Sequence, residues 1–241
     1  MVVSDEPVVP NYRTMSVVVP VFNERSTVAE IIRRIRAVEL PVAVEVIAVD
    51  DGSDDGSDKV LAALEDSTVR VIRHGTNRGK GAAVRSGIEA ARGDLVLVQD
   101  ADLEYDPEDW PKLLAPMLRG KAKVVYGSRF TGERKNMFPS HWVGNRLLTA
   151  VTNVLYRSTL SDMETCYKLF DRSVLDGITI ESDRFEFEPE ITAKVLRRGH
   201  RIYEVPISYS GREISEGKKI SWRDGFGALV TLVRFRLRRR I

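Results

Sequence analysis

Apolar and polar positions in the first half of the chain alternate between two periods. Residues 16–20 (SVVVP) and 44–49 (VEVIAV) are short, β-branched and almost continuously apolar, the pattern of strands buried on both faces. Residues 69–73, 95–98 (LVLV) and 123–126 continue the series. Between the strands the period changes. Val28, Ile31, Ile32 and Ile35 fall at i, i+3, i+4 and i+7, which predicts a helix with one apolar stripe. Further helices are expected over 58–64, from the NRGKG turn through Ala82, Val84, Ile88 and Ala91, and from Pro107, a favoured first-turn residue. Strand–helix alternation with right-handed crossovers predicts an α/β fold around a mostly parallel sheet flanked by helices. Past about residue 131 the rhythm breaks into a loop, an amphipathic helix at 141–156, a short KLFD segment, a helix near 187–198, a strand pair in RIYEVPISY and a last helix from about 222. Residues 1–13 read as a flexible lead-in, 14–220 as one domain, and 221–241 as an amphipathic basic helix packed on the domain or on a membrane.

Composition narrows this picture. With 241 residues, 43% of them hydrophobic, the chain supports one large core. Cys166 is the only cysteine, so no intramolecular disulfide forms; it reads as a small buried apolar residue, and a reducing, cytoplasmic compartment is expected. Residues 1–13 lack the apolar run of a signal peptide, and no stretch of 18 apolar residues is present to span a bilayer. The net charge is only +2, yet residues 218–241 carry eight basic residues against one acidic residue. Such a block suits an anionic surface, or a solvated helix end. Nucleic acid is not expected, because the basic residues lack interleaved aromatic platforms.

Candidate chemistry sits where the strands end. In open parallel sheets ligands bind beyond the carboxyl ends of the strands. Asp50, Asp51, Ser53 and Asp54 follow the second strand, Asp100 and Asp102 the fourth, Ser128 and Arg129 the fifth. An Asp-x-Asp pair at a strand end offers hard oxygens to Mg²⁺ or Mn²⁺ shared with substrate phosphates, with Glu104 as a third oxygen. Asp51 is placed to accept hydrogen bonds from a nucleobase. The NRGKG turn looks like a phosphate cradle, although it is not a P-loop; Lys80 either touches a diphosphate or only starts a helix.

The motifs VPVFNE (19–24), VDDGSDD (49–55), NRGKG (77–81), QDADLEYDP (99–107) and GSRF (127–130) occur in the order found in glycosyltransferase family 2, inverting enzymes of the GT-A fold, which the chain resembles. VPISYSGREISEGKKISWRDG (205–225) resembles the narrower branch of dolichyl- and polyprenyl-phosphate sugar synthases. The resemblance implies that Pro20, Phe22 and Glu24 line the nucleotide pocket and that Asp51 and Ser53 hold the base and ribose region. It implies that Asp100, Ala101, Asp102 and Glu104 bind the metal and donor phosphates, and that Arg129, Arg212 and Lys218 bind phosphate groups. Gln is frequent in the branch where Glu104 stands here, and SDMETCYKLF (161–170) departs from the branch pattern by placing Cys166 before Tyr167.

The expected reaction is hexose transfer from GDP-mannose or UDP-glucose to a polyprenyl or dolichyl phosphate on the inner face of a membrane. Asp102, Arg129 and Arg212 carry it. A phosphate acceptor needs no general base, its second pKa lying near about 6. A soluble or polysaccharide hydroxyl acceptor is the alternative; it needs a base, with Asp162, Glu164, Glu186 and Glu188 as candidates. A metal-dependent nucleotidyltransferase is the alternative from another class. Trp222, Phe226, Leu229, Val230, Val233 and Leu237 mark one face of the last helix, suited to an anionic leaflet or to packing on the domain. The 141–156 helix reads as a core helix first, and as a second membrane contact otherwise.

Overall fold

The structure, a computed structural model, describes residues 10–135, 137–212 and 222–238. Its centre is a seven-stranded sheet in the order β3-β2-β1-β4-β7-β5-β8. Strand β1 (Thr14–Val21) pairs in parallel with β2 (Ala43–Asp50) on one side and β4 (Leu95–Val98) on the other, and β3 (Val69–Arg73) extends the sheet beyond β2. Val17, Val18, Val19, Ile47, Leu97 and Val98 are fully buried, as unbroken β-branched and leucine runs between two helical layers require. Each such side chain contributes roughly 1.5–3 kcal/mol of burial.

Helices α1 (Val28–Ala37), α2 (Ser57–Leu64) and α3 (Lys80–Ala90) are the crossovers, and α1 buries the four apolar residues of its stripe. Helix α3 lies close on β1 because Gly87 presents no side chain; a Cβ there would overlap Val18. After β4, a 3₁₀ turn (Pro107–Asp109) leads into α4 (Trp110–Leu118), so the helix expected at Pro107 begins three residues late.

The second half departs from strict alternation. Strand β5 (Val124–Ser128) does not pair with β4; β7 (Lys168–Asp171), the KLFD segment, is inserted between them and runs antiparallel to both. Strand β8 (Tyr203–Pro206) is parallel to β5. The strand pair expected in RIYEVPISY is not a hairpin, since β9 (Tyr209–Ser210) pairs instead with the two-residue β6 (Arg134–Lys135). Helix α5 (Pro139–Tyr156) is followed by the short α6 (Arg172–Leu175), by α7 (Phe187–Arg197) and by α8 (Trp222–Leu237).

Helices α5 and α8 pack on each other and on α7 around Leu160, Met163 and Leu232. The Tyr156 hydroxyl donates to the Leu232 carbonyl at 2.6 Å. Helix α5 is not the core helix that its stripe predicts: only Thr149 and Thr152 on it are fully buried. Leu147 is 64% and Val154 79% exposed, and on α8 Phe226 is 65% and Leu237 76% exposed. The opposite face of α8 packs on the domain through Ala228, Leu232 and Phe235. Arg234 and Arg238 pair with Glu181.

Candidate active site

Strands β1, β2, β4, β5 and β8 are linked in parallel, so their carboxyl ends share one edge of the sheet. Strand β7 runs the other way, and its amino end therefore lies at that same edge. The inserted strand thus carries Asp162, Glu164 and Thr165, on the loop before it, to the place where Asp100 and Arg129 emerge. Periodicity alone gave no sign of this, because direction within a sheet is set by long-range pairing.

Three cations organise the edge. The first is Lys80, whose Nζ lies 2.9 Å from Asp100 Oδ1 and 2.9 Å from Glu188 Oε1. Burial pulls its pKa down, but Asp100 and Glu188 outweigh this and hold it well above the usual lysine range. The second is Arg212, which donates to both carboxylate oxygens of Glu24 at 2.8 and 3.2 Å and approaches Asp102 Oδ2 at 3.1 Å. The third is Arg129, whose Nε and Nη2 each donate to Asp162 at 2.7 Å while its backbone N–H donates to the same carboxylate at 3.0 Å. Here too burial lowers and the Asp162 charge more than restores, so the guanidinium stays charged. Asp162 is fully buried and fully engaged, so it is not an open base.

Of the residues expected on the nucleotide side, Glu24 is the one held by Arg212, and the others lie around the turns after β1 and β2. Pro20 pairs with Val49 of β2, one position before the last pair of the two strands, and Phe22 follows half-buried. The Ser53 hydroxyl accepts from the Asn23 N–H at 3.1 Å, joining the turn after β2 to that after β1. Asp51 is only 2% exposed; its carboxylate accepts from His74 Nδ1 at 2.6 Å and from the N–H groups of Arg78 and Gly79 at 3.0 and 2.7 Å. Amides of the NRGKG turn are therefore bound to Asp51, and the Ala82 N–H donates to the Asp183 carbonyl. Gly79 is there for its φ of +103°, and because a Cβ would collide with the Asp183 backbone. His74 reaches on to the Ser86 hydroxyl at 2.9 Å. The sequence reading missed His74; its place directly after β3, at a strand end like the others, was the available signal.

Asp100 and Asp102 reach the edge together, with Ala101 buried between them. Glu104 behaves differently. Its Oε2 accepts from the Tyr209 hydroxyl at 2.7 Å and its Oε1 from the Arg212 N–H at 2.9 Å, so it ties the loop after β9 to the DADLEY turn. Among the described residues no group of three or more His, Cys, Asp or Glu is arranged to hold a metal ion. The donor set still suits a hard cation: Mg²⁺ is usually held by one or two carboxylates plus phosphates and water, and Asp100 and Asp102 are such a pair. Lys218 lies outside the described residues. Cys166 is buried with its Sγ 3.7 Å from the Val98 carbonyl, and burial raises its thiol pKa well above the usual range, as an inert packing residue requires.

A mixed, mostly parallel sheet with acidic strand ends and helices on both faces defines the GT-A class of fold. A glucosyl-3-phosphoglycerate synthase from Mycobacterium tuberculosis, solved with Mn²⁺, uridine diphosphate and glucosyl-3-phosphoglycerate, superposes with a TM-score of 0.72 at 21% identity, covering 92% of this chain and 80% of that one. The model of glycosyl transferase family 2 matches residues 16–179, and the chain belongs to that family. It is 33% identical over 218 residues to the low-salt glycan biosynthesis hexosyltransferase Agl6 of Haloferax volcanii, covering 88% of this chain and 51% of that protein. It is 30% identical over 207 residues to the dodecaprenyl-phosphate galacturonate synthase of Rhizobium johnstonii, covering 83% of this chain and 60% of that protein. The chain thus spans between half and three-fifths of the length of these relatives.

Proposed function

We propose that the chain transfers a hexose from a nucleoside-diphosphate sugar to a polyprenyl phosphate at a membrane surface, with a divalent cation as cofactor. The observation that carries this reading is the continuity between the site and the exposed apolar helices. Arg129 lies at the end of β5; its guanidinium carbon is 6.0 Å from the centre of the Phe130 ring. Phe130 in turn meets Trp142 of α5 edge-on at 6.4 Å. Helix α5 leaves Trp142, Val143, Leu147 and Val154 exposed and packs on α8, which leaves Phe226, Val230, Val233 and Leu237 exposed. An acceptor with a phosphate head and a long apolar tail would have its head beside Arg129 and its tail along this face. Two curated relatives, whose names specify dodecaprenyl and undecaprenyl phosphate, support that acceptor class.

The chemistry follows from the charges. The acceptor phosphate is ionised near neutral pH and attacks the anomeric carbon directly, so no base is required. Asp100 and Asp102 would hold Mg²⁺ or Mn²⁺, which would neutralise charge on the leaving diphosphate. Arg212 and Arg129 stabilise phosphate oxygens, and Glu24, Phe22, Pro20, Asp51 and Ser53 shape the nucleotide side. Glu104 acts by holding the loop that carries Arg212. No helix among the described residues is long and apolar enough to cross a membrane. The apolar face of α8 with its basic end suits peripheral attachment to an anionic cytoplasmic leaflet, at about 1 kcal/mol per basic residue near the surface.

The test is a transfer assay with GDP-mannose and UDP-glucose, each paired with a short polyprenyl phosphate, with Mn²⁺ or with chelator. A chelator-sensitive glycolipid from either donor supports the reading. Donor hydrolysis without glycolipid overturns the lipid acceptor, and pyrophosphate release overturns glycosyl transfer altogether.

A further inference from the structure

The NRGKG turn spends its amides on the protein. The N–H groups of Arg78 and Gly79 donate to the Asp51 carboxylate, and the Ala82 N–H donates to the Asp183 carbonyl. What the turn offers the sheet edge is the next side chain, Lys80, whose Nζ lies 2.9 and 3.1 Å from the two carboxylate oxygens of Asp100. The place of Lys80 therefore depends on what fixes the turn. Residues 74–79 belong to no helix or strand, so individual bonds must hold them. Asp51 supplies one side of that grip, and His74 stands behind Asp51. The His74 N–H donates to the Asp50 carbonyl at 2.8 Å, its Nδ1 donates to Asp51 Oδ1 at 2.6 Å, and its Nε2 lies 2.9 Å from the Ser86 hydroxyl on α3. One imidazole thus joins the turn after β2, the end of β3 and the helix that Lys80 begins. Its side chain is 5% exposed, so little water is at hand to replace a bond lost there. The turn after β2 also lies directly against this segment: a Cβ on Gly52 would collide with the backbone of Thr76 and Asn77. The order Asp–His–Ser also suits an activated nucleophile. Ser86, however, stands in the middle of α3, where the neighbouring amides are used in the helix's own ladder and are not turned to an oxyanion. The three residues hold a shape rather than react.

We propose that His74 is a positioning residue for donor binding: through Asp51 it fixes the NRGKG turn and so sets Lys80 toward the donor diphosphate. This rests on the reading of the edge as a nucleotide-sugar site, and it adds a residue that acts from behind that site. Without the imidazole, Asp51 loses the partner that aims it, and the amides of Arg78 and Gly79 lose a fixed acceptor. Lys80 then starts α3 from a displaced turn. Its placement has little tolerance, because its ammonium is shared between Asp100 and Glu188, each at 2.9 Å. A binding group displaced by about 1 Å loses much of its effect, which is why the residues behind a site matter as well as those in it.

The experiment is a calorimetric titration with UDP and with GDP, in the presence of Mn²⁺ and without acceptor. The proteins are the wild type, His74→Phe, His74→Asn, Lys80→Gln, and His74→Phe combined with Lys80→Gln. Thermal melts establish that each is folded at the working temperature. Phenylalanine keeps a ring and removes both side-chain bonds, asparagine keeps an N–H near the position of Nδ1, and glutamine keeps N–H donors for Asp100 and Glu188. The expected result is that His74→Phe weakens binding of the nucleotide about tenfold, as loss of a hydrogen bond to a charged group does, and that His74→Asn recovers it to within about threefold. The double variant should bind no more weakly than Lys80→Gln alone, because losses that act through one group do not add. A His74 that only stabilises the fold would lower the melting midpoint and leave the affinity unchanged, which overturns the proposal. Additive losses in the double variant, an asparagine variant as weak as the phenylalanine one, or Lys80→Gln binding like the wild type would each overturn it too. Where His74→Phe does not fold, Ser86→Ala takes its place in the cycle, since it keeps the bond to Asp51 while releasing the ring; a weakening that again vanishes in the Lys80→Gln background is expected, and an unchanged affinity overturns the proposal. If the wild type binds neither nucleotide, the nucleotide reading fails and the proposal with it. If Lys80→Gln weakens binding while folded His74→Phe does not, that reading stands and the role of His74 alone falls.

Discussion

Removing Asp162 should cost more than any surface ion pair, because of what it would leave behind. The carboxylate is fully buried and takes two guanidinium N–H groups at 2.7 Å and the Arg129 amide at 3.0 Å. The Arg129 side chain is itself only 9% exposed. In Asp162→Ala a charged guanidinium remains in a space with little water and no counter-charge. Breaking a buried pair in this way costs about 3–5 kcal/mol. Against a total stability of about 5–15 kcal/mol, the unfolded fraction would rise between roughly a hundredfold and several thousandfold. For a chain of this size the melting midpoint would fall by roughly 6–20 °C. Replacing both partners by apolar residues, Arg129→Met with Asp162→Leu, should recover most of this loss, since a buried pair is worth little net of its desolvation. Urea denaturation of the wild type, both single variants and the double variant measures the cycle. The double variant should be folded yet inactive in transfer, which separates the stabilising role of Arg129 from its chemical one. The reasoning is refuted if Asp162→Ala costs under about 1 kcal/mol, or if the double variant is no more stable than either single one.

Other expectations follow from the same contacts. Glu164 keeps a proton when folded up to about pH 8 and releases it near its ordinary value, about 4.5, when unfolded. Its contribution to stability is thus intact below about pH 4.5 and is lost as pH rises to about 8, at no more than about 1.4 kcal/mol per unit. Melting curves of Glu164→Gln should therefore gain on the wild type between about pH 5 and about pH 8.5, and parallel profiles would contradict this. Gly87→Ala drives a methyl into Val18 and should lower stability by about 1–3 kcal/mol, read by urea denaturation; an unchanged midpoint would mean that α3 can lift from β1 freely. Val230→Glu with Val233→Glu, on the exposed face of α8, should leave the melting midpoint nearly unchanged and abolish sedimentation with anionic liposomes. In Arg212→Met, Mn²⁺ and UDP should no longer strengthen one another's binding in calorimetry, a coupling that is typically about 5–150-fold; retained coupling would clear Arg212 of that role.

The parallel half of the fold was legible because its strands are buried on both faces, and burial of that kind writes itself into the chain as unbroken VVV and LVLV runs. The acidic turns were legible for a related reason: Asp50 and Asp100 break such runs abruptly at the ends of β2 and β4. The second half was not legible at this level. KLFD is too short to show a period, and nothing local says that it pairs antiparallel between β4 and β5. Helix α5 misled because an apolar stripe predicts that something covers it, without saying whether the cover is the protein's own core. The glycines of NRGKG, which look like a ligand cradle in the sequence, also serve the fold, since Gly79 and Gly81 admit close approach of the 182–184 backbone.

What pattern could not reveal was how the charges at the edge are paired. The sequence places acids and bases at strand ends as if each awaited a ligand, yet the folded chain matches Lys80 with Asp100 and Glu188, Arg212 with Glu24 and Asp102, and Arg129 with Asp162. The reason is electrostatic. These groups are largely removed from water, and an uncompensated charge there would cost several kcal/mol. A ligand therefore enters by exchange. A phosphate drawing Arg212 toward itself frees carboxylate oxygen on Glu24 and Asp102, and that oxygen needs a new positive partner. The exchange is available to Arg212, whose side chain keeps 19% exposure, and is far less so to Arg129, which is locked by three bonds to one carboxylate. On the proposed reading, the two arginines, alike in sequence context, divide into one free to turn toward a phosphate and one held in place by Asp162.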